Sequence, residues 1–442
     1  MNLRLLLALS LLATWSFGCE ASDASSSNQD APSRADAASG EALGQASGEE
    51  EALDQEQEGV RASGDAEGEA RASLQPDEDP GYIGPYAVGH LEVLVEDHDD
   101  PNRRLATQVW YPASGFNPSS LTLYVVGTMG PFELEYPSEH AQREVQAADE
   151  SFPFVIFSHG YGGISTQSLD LCERLASHGF VVASPAHAGN TAEDDFNGTS
   201  VSRELALADR PRDVRTLIDT FTNDDAIPEL LKGRIDPSQV GVCGHSFGGY
   251  TSLSAAAGHA ASGIAADARV KAIAPICPDS SEFSDAELAS IQIPTLFIGG
   301  SLDESTPIEP QITRPYSLMS DAPRWRIDVT GATHTHFANI CTIGAALIDM
   351  GLTPDTWEGV GAGALLEIYD ETCGEDVFPI DEAIRIQTHY VVAFFRHYLR
   401  GEAHYAGVLS EAYAAECEPS VVFFQEGVSA SASSPCFTST PE

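Results

Sequence analysis

Residues 240–258 read VGVCGHSFGGYTSLSAAAG, and the reading of this stretch decides the fold. Val240–Cys243 is a short apolar run suited to a buried strand, and Gly248–Gly258 is a helix of small residues. Between them Gly244-His245-Ser246-Phe247-Gly248 fits G-x-S-x-G. That pattern marks a sharp strand-to-helix turn that lifts a serine clear of the backbone. Both glycines have a steric reason, since a side chain at either would collide where strand and helix meet. A serine in an ordinary turn would not need the strand before it or the helix after it.

On either side the chain alternates in the same way. Phe152–Ser158 is a short continuous apolar run, and Gly179–Ser184, Val270–Ile276, Ile293–Ile298 and, as the last strand, Trp325–Val329 read as further buried strands. Helical spacing separates them at Ser168–His178 and at Arg203–Phe221, the latter expected to be interrupted by Pro211. Val88–Glu96 and Leu105–Tyr111 are expected to form an antiparallel pair at the start of the sheet. Buried strands divided by helices predict an α/β fold, a mostly parallel sheet covered on both faces. Phe337–Phe378 is expected to be a strandless excursion over one end of the sheet. Ile380–Leu399 follows as a helix whose apolar stripe includes Ile384, Tyr390, Val391 and Phe394.

A serine hydroxyl is a weak nucleophile until a base takes its proton, and that base needs an acid to orient it. For this kind of turn the chain order is serine, acid, histidine. Two acids follow buried strands: Asp279 after Val270–Ile276, and Asp303 after Ile293–Ile298. Asp303 is the expected triad acid, Asp279 the alternative, and Glu304 a solvated neighbour. Gly331-Ala332-Thr333-His334-Thr335-His336-Phe337 offers two histidines. His334 is the expected base and His336 the alternative. A metal reading of the two would need a third ligand that the sequence does not supply. Charge developing on a substrate carbonyl needs two backbone N–H donors. Phe247, after the nucleophile, is one. Tyr161, in the His159-Gly160-Tyr161-Gly162-Gly163 loop after Phe152–Ser158, is the other. This chemistry requires neither a metal nor an organic cofactor.

The chain of 442 residues carries 67 Asp+Glu against 22 Lys+Arg, a formal net charge of −45. Such a surface repels phosphate backbones and argues against a nucleic-acid partner. Arg4 and the apolar run Leu5–Trp15 read as a secretory signal, too short to span a bilayer. Gly18-Cys19 resembles the end of a lipoprotein signal, in which the cysteine is lipidated and anchors the chain to a membrane. Residues 20–80, with 17 acidic residues and three arginines, cannot bury enough apolar surface to fold and read as an acidic linker. The expected organisation is thus signal 1–19, linker 20–80 and one catalytic domain 81–442, located outside the cytoplasm. Cys172, Cys243 and Cys277 lie in apolar patterns and are expected to be buried thiols. Cys341, Cys373, Cys417 and Cys436 lie in irregular later segments, with disulfides expected between 341 and 373 and between 417 and 436.

These residues resemble the serine-dependent α/β-hydrolases of the platelet-activating-factor acetylhydrolase type, a group that includes bacterial "predicted dienelactone hydrolases". The likeness runs through most of residues 81–400. It is carried by Gly84-Pro85-Tyr86-Ala87-Val88-Gly89, Val109-Trp110-Tyr111-Pro112 and Ser158-His159-Gly160-Tyr161-Gly162-Gly163. It continues through Ala208-Asp209-Arg210-Pro211-Arg212-Asp213-Val214, Gly244–Gly249 and His334-Thr335-His336-Phe337-Ala338-Asn339. True dienelactone hydrolases use a cysteine nucleophile, whereas this chain has Ser246. The animal acetylhydrolases carry their acid directly after the strand that here ends at Ile276, where this chain has none. An acid at Asp303 looks more like bacterial polyesterases and cutinases.

The resemblance implies hydrolysis of a small-molecule or lipid ester: short-chain or acetyl esters, including platelet-activating-factor-like phospholipids. Alternatives are a polyesterase, cutinase or lipase, then an amidase or peptidase on the same triad, then a non-catalytic surface binding protein. The sequence does not fix the oligomeric state.

Overall fold

The computed structural model describes residues 78–97, 100, 103–129, 132–357, 363–428 and 434–437. The signal, Cys19 and nearly all of the acidic tract lie outside the described residues. Among those described, no helix is long and apolar enough to cross a membrane.

Eleven strands form one sheet. In chain order they are β1 (Ala87–Glu96), β2 (Arg104–Ala113), β3 (Leu121–Met129), β4 (Phe132–Arg143), β5 (Phe152–Ser158) and β6 (Val181–Pro185). They continue with β7 (Ile235–His245), β8 (Val270–Ile276), β9 (Thr295–Gly300), β10 (Arg324–Val329) and β11 (Val421–Glu426). Their spatial order is β11-β10-β9-β8-β7-β5-β6-β2-β1-β4-β3. From β10 to β6 every neighbouring pair is parallel. Antiparallel partners, β11 at one end and β2 at the other, flank this block.

The middle of the parallel block is largely apolar because helices cover both of its faces. All seven residues of β5 are buried, and they alternate between two cores. Val155 and Phe157 join the helices Leu169–Ser177 and Ile380–Leu399 on one side. Phe154 and Ile156 join Arg203–Phe221 and Phe247–Ala257 on the other.

Two expectations need correction. The helix Arg203–Phe221 runs unbroken through Pro211. Proline cannot donate to the carbonyl four residues back, and the Tyr250 hydroxyl takes that role by donating to Leu207 O at 2.7 Å. Trp325–Val329 is not the last strand, because β11 adds antiparallel to it. In addition, β3 and β4, strands that the sequence pattern does not predict, pair antiparallel. Leu121, Leu123 and Val125 of β3 face solvent while Thr122, Tyr124 and Val126 are buried, so the alternation is hidden in a run that is apolar on both faces.

Among its described residues, Phe337–Phe378 is strandless, as expected, but it is helical: Ile340–Asp349, Pro354–Trp357 and Gly363–Cys373. A Cys341–Cys373 disulfide joins the first of these helices to the third, and Cys417–Cys436 closes a second bridge. Cys172, Cys243 and Cys277 are buried free thiols.

Candidate active site

Parallel strands end at a common edge, so the loops leaving them gather side chains from distant parts of the chain. Tyr161 follows β5, Ser246 follows β7, Asp303 follows β9 and His334 follows β10.

Ser246 has φ 59° and ψ −118°, a strained conformation for a residue with a side chain. The turn is this tight because the helix start sits on the end of β5. A Cβ at Gly244 would lie 2.6 Å from the Ser158 carbonyl oxygen, and one at Gly248 would lie closer still to that oxygen. Ser246 is only partly buried.

His334 points Nδ1 at Asp303 Oδ2, 2.8 Å away. The same carboxylate accepts from the Ser305 N–H at 2.9 Å, the Thr306 N–H at 2.7 Å and the Thr306 hydroxyl at 2.9 Å. Burial disfavours the charged carboxylate. The adjacent imidazole and these donors outweigh burial and hold the Asp303 pKa well below the usual carboxylate range. An ionised acid fixes the tautomer with the proton on His334 Nδ1 and leaves Nε2 as an acceptor. The His334 ring lies 4.6 Å from that of His245, the residue before Ser246.

The side chains of the alternatives are engaged otherwise, although the Asp279 N–H donates to the Ser246 carbonyl at 3.3 Å. Asp279 is turned toward Arg203, 2.5 Å away, and caps Ser281. Glu304 is exposed. His336 is fully buried, with Nδ1 on Thr333 and Nε2 on the Phe378 carbonyl. One group of potential metal ligands occurs among the described residues, His245, Cys277 and His334, with ligand atoms within 4.8 Å of one another. Both ring nitrogens of His245 are already engaged, Nδ1 with the Gln167 amide and Nε2 with the His334 carbonyl. His334 Nδ1 is engaged with Asp303, so this donor set fits a hydrogen-bonded core better than an ion.

Tyr161 and Phe247 approach each other with ring centroids 5.4 Å apart. Among the described residues their backbone N–H groups donate to no acceptor. Gly160 brings their two loops together, since a Cβ on it would lie 3.5 Å from that of Ser246.

Several polar residues around the site went unread in the sequence. Gln167 Oε1 accepts the Gly160 N–H at 2.8 Å, and its amide donates to His245 Nδ1 at 2.9 Å. Behind the loop lies a second serine–histidine–aspartate chain. Ser158 Oγ is 2.9 Å from His187 Nε2, and His187 Nδ1 is 2.7 Å from Asp213 Oδ2. All three residues are fully buried. Burial, aided by Arg210 and Arg103, keeps His187 neutral by pulling its pKa well below the ordinary value, and no substrate could reach Ser158. No spacing rule points to these residues, because their partners come from separate elements.

The sheet order, the strained serine after β7 and the acid–histidine pair beyond it define an α/β-hydrolase. More narrowly, the chain belongs to the PET hydrolase-like family, whose model matches residues 115–349. Cutinase 2 of Thermobifida cellulosilytica is 30% identical over 188 residues, 42% of this chain and 62% of that protein. A bis(hydroxyethyl) terephthalate hydrolase of Streptomyces coelicolor is 28% identical over 224 residues, 50% of this chain and 61% of that one. The platelet-activating factor acetylhydrolase of Cavia porcellus is 26% identical over 223 residues, covering 43% and 49%. The chain thus spans less than two thirds of the length of each of these relatives.

Proposed function

We propose that the protein is an exported serine carboxylic ester hydrolase. Ser246 attacks the ester carbonyl. His334 Nε2 takes its proton and passes it to the departing alcohol, while Asp303 holds the imidazole and stabilises its charged form. The N–H groups of Tyr161 and Phe247 stabilise the oxyanion. Water then enters, His334 acts again as base, and the acyl group leaves as the acid. The observation that carries this reading is the buried, ionised Asp303 paired with His334 at the strand edge where Ser246 sits in its strained turn.

The substrates we propose are short-chain or acetyl esters, platelet-activating-factor-like phospholipids among them. A second reading, a polyester or cutin-type substrate, is favoured by the cutinase and terephthalate-ester relatives. Lipidation at Cys19, with the acidic tract as a spacer, would place the enzyme on a membrane surface.

Hydrolysis of p-nitrophenyl esters of increasing chain length, by the full chain and its Ser246→Ala variant, tests both readings. Loss of activity in the variant is expected; full retention would refute the proposal. Rates confined to short acyl chains support the small-ester reading, and rates extending to long chains support the polyesterase.

A further inference from the structure

One peptide group carries both the Gly160 carbonyl and the Tyr161 N–H, and the two point in opposite directions in one plane. Whatever grips that carbonyl therefore aims the N–H. Three donors converge on it: Arg210 Nη2 at 2.8 Å, His159 Nδ1 at 2.8 Å and the Gly163 N–H at 3.1 Å. His159 Nε2 accepts from the His187 N–H at 3.2 Å, which leaves the proton on Nδ1 to be donated.

Arg210 is the charged member of this group and is fully buried. Apart from a long 3.5 Å approach of Nη2 to His159 Nδ1, its other hydrogen bonds also go to neutral oxygens. Nη1 donates to the His159 carbonyl and, at 3.3 Å, to Ser158 Oγ. Nε and Nη2 donate to Asn190 Oδ1 at 3.1 and 2.5 Å. The nearby Asp213 carboxylate is instead gripped by both Arg103 nitrogens and by His187. The Phe247 ring lies 4.9 Å from the guanidinium carbon and seals it beneath the site. Burial pulls the Arg210 pKa down to about 9, so the group remains charged at neutral pH.

We propose that Arg210 is a positioning residue for ester hydrolysis: from beneath the site it orients the Gly160–Tyr161 peptide and polarises it, strengthening the Tyr161 N–H as an oxyanion donor. This rests on the proposed role of Tyr161. A positive charge hydrogen-bonded to a peptide oxygen draws electron density from the nitrogen, and in a dry interior that effect is screened only weakly. The benefit grows as the oxyanion forms, so it falls on kcat rather than on KM.

Asn190→Asp separates this role from simple scaffolding. It keeps the shape and the acceptor of Arg210 but sets a negative charge against the guanidinium, which weakens the pull on Gly160. Arg210→Lys keeps the charge but not the two-carbonyl grip. Each is expected to lower kcat by about tenfold with KM within twofold, a fraction of the roughly 100-fold lost with a whole oxyanion donor. Active-site titration with a fluorophosphonate normalises the rates to folded enzyme. Unchanged kcat in a fully titratable Asn190→Asp protein would overturn the proposal, because scaffolding alone tolerates that change. Ser246→Ala run alongside keeps the two readings apart. An inactive Ser246→Ala with an unaffected Asn190→Asp removes only the Arg210 role, whereas an active Ser246→Ala removes the triad reading beneath it.

Discussion

Gln167 and His245 share a hydrogen bond of 2.9 Å in which the amide N–H donates to Nδ1. That bond ties together three loops. The other end of the Gln167 amide accepts the Gly160 N–H, and the other nitrogen of His245 donates to the His334 carbonyl at 2.9 Å. The His245 pKa is lowered to about 3, chiefly by burial, so the ring is neutral at neutral pH.

Gln167→Leu would leave the Gly160 N–H and His245 Nδ1 without partners, at a cost of about 1–3 kcal/mol per group. We expect a lower melting temperature and a kcat reduced by about tenfold, with KM little changed. Steady-state kinetics on the folded variant check this; a wild-type kcat would mean that the three loops hold their geometry independently.

Tyr250→Phe tests how the helix tolerates Pro211. The Leu207 carbonyl, buried beneath the Tyr250 ring, would lose its donor, and we expect a loss of about 1–2 kcal/mol in urea unfolding. An unaltered midpoint would show that another group or water satisfies that carbonyl.

Glu173 introduces a pH dependence. It is buried beneath Tyr124 and Ser138, whose hydroxyls donate to it at 2.7 Å. Burial outweighs those donors and pushes its pKa up to about 7. The folded state therefore holds a proton that the unfolded chain releases near pH 4.5. Its contribution to stability is present below that value and is lost as pH rises toward 7, by about 3 kcal/mol. Glu173→Gln should remove this component, so that its stability gain over the parent is larger at pH 8 than at pH 5. Equal differences at the two values would contradict the assignment.

The Cys341–Cys373 bridge joins the helices that follow His334. Its surroundings form a small apolar cluster of Ala338, Ile340 and Ile368, separate from the two main cores. Replacing both cysteines by serine should therefore loosen this rim locally. Relative rates across an ester panel are expected to shift while the main unfolding transition moves little. Unchanged relative rates would place the bridge away from substrate.

Much of the layout was legible because burial on both faces writes itself as unbroken apolar runs, as in Phe152–Ser158. The candidate serine, acid and histidine positions are read from where the strands end. Less legible were the elements with one wet face: β3, with Leu123 and Val125 turned to solvent, and β11, where Val422 and Phe424 are exposed. Pro211 misled because its remedy, Tyr250, lies 39 residues further along the chain. The roles of the supporting polar groups Gln167, Arg210 and Asn190 could not be read, although Arg210 lies in a segment that carries the family resemblance. Each is defined by partners on other loops, and no local pattern marks it.

The sealed Ser158–His187–Asp213 chain has a consequence for covalent inhibitors. Geometry gives this protein two candidate nucleophiles, and the path of water chooses between them. A phosphonate probe in native buffer should therefore modify one serine peptide, and Ser246→Ala should abolish labelling rather than divert it. A substitution that opened a channel to Ser158, such as trimming Phe247 from above Arg210, would reveal whether a hidden relay becomes a reactive one once solvent arrives.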